Sequence, residues 1–135
     1  FEYHLICFLL HENIIPDKNI LRKLANELYL NNNIFNLLYK KELEHFINKS
    51  IDFYYNIINE YQNIETLIEV LINESYYTWD LYSLSLLCLT KIYKYNMENE
   101  EPSFILLLKQ SIDYDFNKRP QIHEHIDRFY DILKY

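Results

Sequence analysis

The sequence predicts an all-α domain, residues 1–135, built around one buried central helix. Three observations carry this expectation. Apolar residues recur at spacings of three and four along most of the chain, the period of a helix face rather than of a strand. Glycine is absent, which disfavours the tight turns that join antiparallel strands. The segment Trp79 to Tyr93 places Leu81, Tyr82, Leu84, Leu86, Leu87, Cys88, Leu89, Ile92 and Tyr93 on every side of a helix, the pattern of a helix enclosed by neighbours or by lipid. Lipid is excluded by length. A span needs about 20 apolar residues, whereas this run starts beside Asp80, carries Ser83, Ser85 and Thr90, and stops at Lys91. It reads as the pillar of a helical core, with no membrane insertion.

Taken in order, Phe1 to Leu10 is an apolar helix in which His4 is a core or boundary histidine. A Pro16 turn follows, then a helix capped by Asp17 with Leu21, Leu24 and Leu28 on one face. Asn31 to Asn33 is a turn. Ile34 to Ile47 reads as one surface helix holding Leu37, Leu38, Phe46 and Ile47, and Ile51 to Tyr61 as the next, with Tyr54, Ile57, Ile58 and Tyr61 spaced by three and four. After the pillar comes a short acidic loop, NMENEE, whose charges are solvated. Ser103 is placed as the N-cap of the run Phe104 to Leu108, a helix ending near Asp113. The stretch from Asp113 to Arg119 is then an exposed turn. Pro120 opens the last helix, where a missing N–H costs nothing, and Ile122, Ile126, Phe129 and Leu133 form a stripe expected to face the core.

Composition narrows the chemistry. Half of the residues are apolar and 17% aromatic, far from a disordered chain. Without glycine no glycine-rich phosphate loop can form. A net charge of −7 opposes binding to a phosphate backbone, which needs a basic stripe, so no nucleic-acid partner is expected. Cys7 and Cys88 sit in apolar helical runs and read as buried free thiols of an intracellular, cytoplasmic, reducing compartment. The wealth of Asn, Ile, Lys and Tyr is that of A/T-rich coding DNA, as in large DNA viruses or parasites. The missing initiator Met points to a fragment or a processed piece as the expectation.

Clusters with the look of a site resolve into simpler readings. His123 and His125 lie two apart on a helix and point about 200° away from one another, so they cannot grip one ion; His123 and Asp127 could, but no other ligand joins them. Metal is not expected. The pairs Asp113 with Asp115 and Glu98 with Glu100 and Glu101 are loop charges without the desolvation that acid–base tuning requires. No catalytic residue can be assigned.

Three stretches carry a resemblance. Asp80-Leu81-Tyr82-Ser83-Leu84-Ser85 resembles the D-x-[WY]-S-x-G that opens the long buried helix of the C-terminal lobe of eukaryotic-type protein kinases. Ile68-Glu69-Val70-Leu71 resembles the P-E-V-L that ends a kinase activation segment. Leu107 to Pro120 resembles the L-L-x-x-C-L-x-x-D-P-x-x-R-P late in that lobe. The likeness spans residues 64 to 133. His11 to Leu21 echoes the catalytic loop in its I-I-P-D-K-N-I-L portion but lacks the H-R-D-x-K block, and Leu38 and Lys40 stand where the Asp and Gly of D-F-G would be.

The resemblance implies structural roles for Glu69, Asp80 and Arg119. Glu69 and Arg119 would form a buried ion pair, and Asp80 would cap backbone N–H groups of the former catalytic loop. Phosphoryl transfer rests on metal and positioning, so loss of the metal-binding carboxylate would end it. The expectation is a catalytically inactive, pseudokinase-like scaffold or protein-interaction module with a protein partner and no cofactor. The alternatives are the C-terminal lobe of a divergent serine/threonine kinase using ATP and Mg with its nucleotide lobe elsewhere, and an unrelated helical adaptor.

Overall fold

In a computed structural model that describes residues 1–134, every regular element is helical: α1 (Glu2–Glu12), α2 (Lys18–Tyr29), α3 (Asn33–Tyr39), α4 (Leu43–Glu60), α5 (Ile64–Ser75), α6 (Trp79–Lys94), α7 (Pro102–Ser111) and α8 (Ile122–Leu133), with short 3₁₀ turns at Lys40–Glu42, Tyr76–Thr78 and Phe116–Lys118. These elements gather into two compact units, Phe1–Glu74 and Ser75–Tyr135. Tyr135 itself lies outside the described residues. No helix among the described residues is long and apolar enough to cross a membrane.

The first unit is organised on α2 and α4, its most closely packed pair. Asp17 caps α2 as expected, its Oδ1 accepting from the Ile20 N–H at 2.8 Å. The fully buried stripe of α2 is Leu21, Ala25 and Tyr29, flanked by half-buried Leu24 and Leu28. The spacing thus located the face but not its centre, because Tyr29 outweighs leucine in the area it can hide. Its ring meets Phe35 edge-on at 4.8 Å and Phe46 at 5.1 Å, while Tyr39 stacks on Phe46 at 4.2 Å. The Tyr54 hydroxyl donates to Oε2 of the buried Glu2 at 2.8 Å, which partners a carboxylate that would otherwise be costly to bury. α5 buries Leu67 and Leu71.

The expected single helix from Ile34 to Ile47 is broken. Lys40 takes φ 50°, ψ −125°, a region favourable only to glycine, and α3 stops there. α4 then runs without a gap through Ser50, joining what reads as two helices, because Leu43, Phe46, Ile47, Ile51, Tyr54 and Ile58 make one continuous buried stripe. Turns that would ordinarily use glycine fall elsewhere to asparagine, which tolerates the left-handed region best among the other residues. Asn13 (φ 52°) ends α1, and Asn96 (φ 55°) follows α6. After α6 the Met97 N–H reaches Ile92 O at 3.0 Å and the Asn96 N–H reaches Tyr93 O at 3.2 Å, the paired bonds of a Schellman stop. The two thiols expected to be buried are not: Cys7 is exposed and Cys88 half-buried. His4 is likewise on the exposed face of α1.

In the second unit α6 packs on α7, and α7 on α8. Here the pillar expectation fails. Only Leu81, Ser85 and Leu89, one i, i+4, i+8 stripe, are buried on α6, and Leu84 and Leu87 are 56% and 55% exposed. A unit of this size has too few neighbours to wrap a helix on all sides. The α7 boundary also shifts: Pro102 is itself the first residue, after Glu101 as N-cap, rather than Ser103 capping. Pro120 precedes α8 instead of opening it. Gln121 caps that helix through a capping box with Glu124.

Candidate interaction surfaces and the Arg119 anchor

Of the three residues singled out by the resemblance, Glu69 lies exposed on α5 in the first unit. Asp80 is exposed in the first turn of α6, where a carboxylate complements the helix dipole. Arg119 is the buried one, 4% exposed. Its Nε donates to Asp113 O at 2.7 Å, its Nη1 to Thr78 Oγ1 at 3.2 Å, and its guanidinium lies 4.8 Å from the centre of the Tyr82 ring. Thr78 Oγ1 in turn donates to Ser75 O at 2.7 Å, and Trp79 Nε1 to Ser75 Oγ at 3.1 Å. One side chain thereby holds the 3₁₀ turn before α6 against the loop after α7. Sequence spacing does not pair Thr78 or Tyr82 with Arg119. The available signal was a hydroxyl residue immediately before an apolar helical run.

The loop from Asp113 to Arg119 is not the exposed turn expected, since Phe116 and Arg119 are buried. It is laid down by consecutive Asx turns: the Asp115 N–H donates to Asp113 Oδ1 at 2.9 Å and the Asn117 N–H to Asp115 Oδ1 at 3.0 Å. Asp113 is desolvated after all. Burial raises its carboxyl above the ordinary 3.8, opposed by the Asp115 N–H and by the charges of Lys118 and Arg119. In the acidic loop, Glu98 is half-buried with its Oε2 enclosed and unpartnered among the described residues. Burial and the Glu98 charge together raise the Tyr93 hydroxyl.

On α8, His123 and Asp127 are exposed and His125 is half-buried. The His125 Nε2 is enclosed without a partner among the described residues, and burial and then the Arg128 charge lower its pKa from 6.5. No group of three or more His, Cys, Asp or Glu among the described residues is placed to hold a metal ion.

The stripe on α8 expected to face the core is instead mostly open. Ile122 and Leu133 are each 62% exposed and Ile126 is 47% exposed, with Tyr130 beside them. Only Phe129 turns inward, its ring 5.4 Å from that of Phe104 on α7. The helical period holds, but among the described residues little of the second unit covers this face. Apolar side chains aligned on one helix face and left in water make a candidate interaction surface. No protein-family model, curated protein or solved structure matches the chain.

Proposed function

We propose that this chain is a catalytically inactive, kinase-like scaffold that works as a protein-interaction module in a reducing, intracellular compartment. The observation that carries the interaction role is the open stripe Ile122, Ile126 and Leu133 on α8. Covering it gains about 25 cal/mol per Å² of apolar surface, and an amphipathic helix offered in this way seats in the apolar groove of a protein partner. The kinase-like part rests on the motif order in residues 64 to 133 and on the buried, multiply bonded Arg119 at the place of the R-P arginine.

Two measurements test the reading. Adding Mg and ATP to the purified chain is expected to leave its melting temperature and its ATP unchanged. Nucleotide at 100 times its dissociation constant would add about 2.7 kcal/mol of stability, and such a gain, or magnesium-dependent turnover, would overturn the inactive assignment. For the kinship, Glu69→Gln and Arg119→Lys are combined in a thermodynamic cycle. A coupling above about 1 kcal/mol supports descent from a kinase lobe, whereas additive effects leave a helical interaction module without that ancestry.

A further inference from the structure

The first unit carries a cleft that the α8 surface does not use. It lies between α2 and the start of α4, has a volume of about 380 Å³, and is lined by Arg22, Asn26, Leu30, Lys40, Lys41, Leu43, Glu44 and Ile47. A shallower trough along α2 continues it through Arg22, Asn26 and Leu30 to Lys23 and Glu27. Together they gather four cations, Arg22, Lys23, Lys40 and Lys41, against two carboxylates, Glu27 and Glu44, in a chain whose net charge is −7. Among the described residues none of the four cations is in an ion pair. Arg22 is held instead by a neutral partner, its Nη2 donating to Asn48 Oδ1 at 2.8 Å, so its position is set while its charge stays available. The floor is apolar, with Leu43 and Ile47 buried and Leu30 half open. Lys40 and Lys41 are placed at the rim by the strained backbone of Lys40, φ 50°, ψ −125°, and strain of that kind persists only where its surroundings impose it.

We propose that this cleft binds an acidic peptide segment of a protein partner, one apolar side chain resting on Leu30, Leu43 and Ile47 and its flanking carboxylates facing Arg22, Lys40 and Lys41. The apolar floor selects against a bare anion, and the basic rim selects for negative charge beside the apolar anchor. A cavity of this volume is at the small end of ligand sites and suits one or two side chains rather than a whole domain. The site lies in the other unit from α8 and stands without that surface.

The test is a titration of the ¹⁵N-labelled chain with a twelve-residue peptide of Glu and Asp carrying two leucines, followed by amide shifts, which register even millimolar binding. Saturable shifts confined to residues 22–31 and 40–47 are expected, weakened at least tenfold by Lys40→Glu with Lys41→Glu and by raising salt from 50 to 500 mM. Arg22→Gln, which leaves the apolar floor intact, is expected to weaken binding severalfold. The same spectra report whether each variant is folded, and Lys41→Glu alone serves if the double variant is not. Absence of shifts in these segments overturns the proposal. So do equal shifts from a peptide with Lys in place of its acids, shifts from pyrophosphate with the peptide silent, or binding only to phosphatidylserine vesicles. Each of these outcomes leaves the α8 reading untouched.

Discussion

The guanidinium of Arg119 lies over the ring of Tyr82, 4.8 Å from its centre, while its Nε and Nη1 donate to Asp113 O and Thr78 Oγ1. A desolvated cation over an aromatic face contributes up to about 2 kcal/mol, and hydrogen bonds from a charged donor about 1.5–3 kcal/mol each. Contributions that share one side chain do not add, and Arg119→Ala is expected to cost the second unit roughly 3–5 kcal/mol, the usual loss when a buried charged network is broken. Arg119→Lys should recover only part of it, because an ammonium cannot reproduce the planar fork. In urea unfolding, a loss below about 1 kcal/mol for the alanine variant would show that the anchor is not structural.

Lys40 occupies backbone space that suits glycine. Relieving it by Lys40→Gly should stabilise the first unit by about 1 kcal/mol, the strain of roughly 1–3 kcal/mol less the extra chain entropy of glycine. A rise in melting temperature of about 4–8 °C is the corresponding readout for a unit of this size. The comparison variant Lys40→Ala should show no such rise.

Ser85 is completely buried on α6, and its hydroxyl has no hydrogen-bond partner among the described residues. Removing an unsatisfied buried polar group without changing the packing is favourable, so Ser85→Ala should raise stability by about 1 kcal/mol. Ser85→Leu should lower it by about 1–3 kcal/mol through overpacking. Both follow from chemical denaturation, and a destabilising alanine would mean that the hydroxyl is bonded.

Two groups of the second unit make stability depend on pH with opposite signs. His125 is held below its ordinary 6.5 by burial and by Arg128, so the unfolded chain takes up the proton first. Stability should be lost as pH falls through 6.5 toward the lower folded value, and His125→Gln should remove that loss. Asp113 is raised above 3.8, chiefly by burial, so the folded state keeps its proton to higher pH. Stability should decline as pH rises from 3.8 through the raised value, and Asp113→Asn should flatten that limb. Denaturation midpoints measured from pH 4 to 8 separate the two.

Ile126 and Leu133 are exposed, so Ile126→Asp with Leu133→Asp should change the stability of the isolated chain by no more than about 0.5 kcal/mol each. If they belong to a core, the loss would be several kcal/mol. Circular dichroism melts distinguish these outcomes.

Helix identity and helix faces were legible in the amino-acid order because both depend on local spacing. The Asp17 cap, the α2 stripe around Leu21 and the period of Ile122, Ile126, Phe129 and Leu133 all follow from residues within a few turns of one another. What lies opposite each face is not a local property. Trp79 to Tyr93 is apolar on all sides, yet α6 buries only Leu81, Ser85 and Leu89, and α8 has the right stripe with little to cover it. Arg119 was assigned a structural role from its motif, but Thr78, Tyr82 and the Asp113 carbonyl became its partners only through the fold of the loop. The break at Lys40 was equally invisible, since no residue type there announces a positive φ. Sequence by itself determined that the chain is helical and which side of most helices is oily. Tertiary packing decided which of those sides meet water, because burial depends on neighbours that the chain supplies from far along its length.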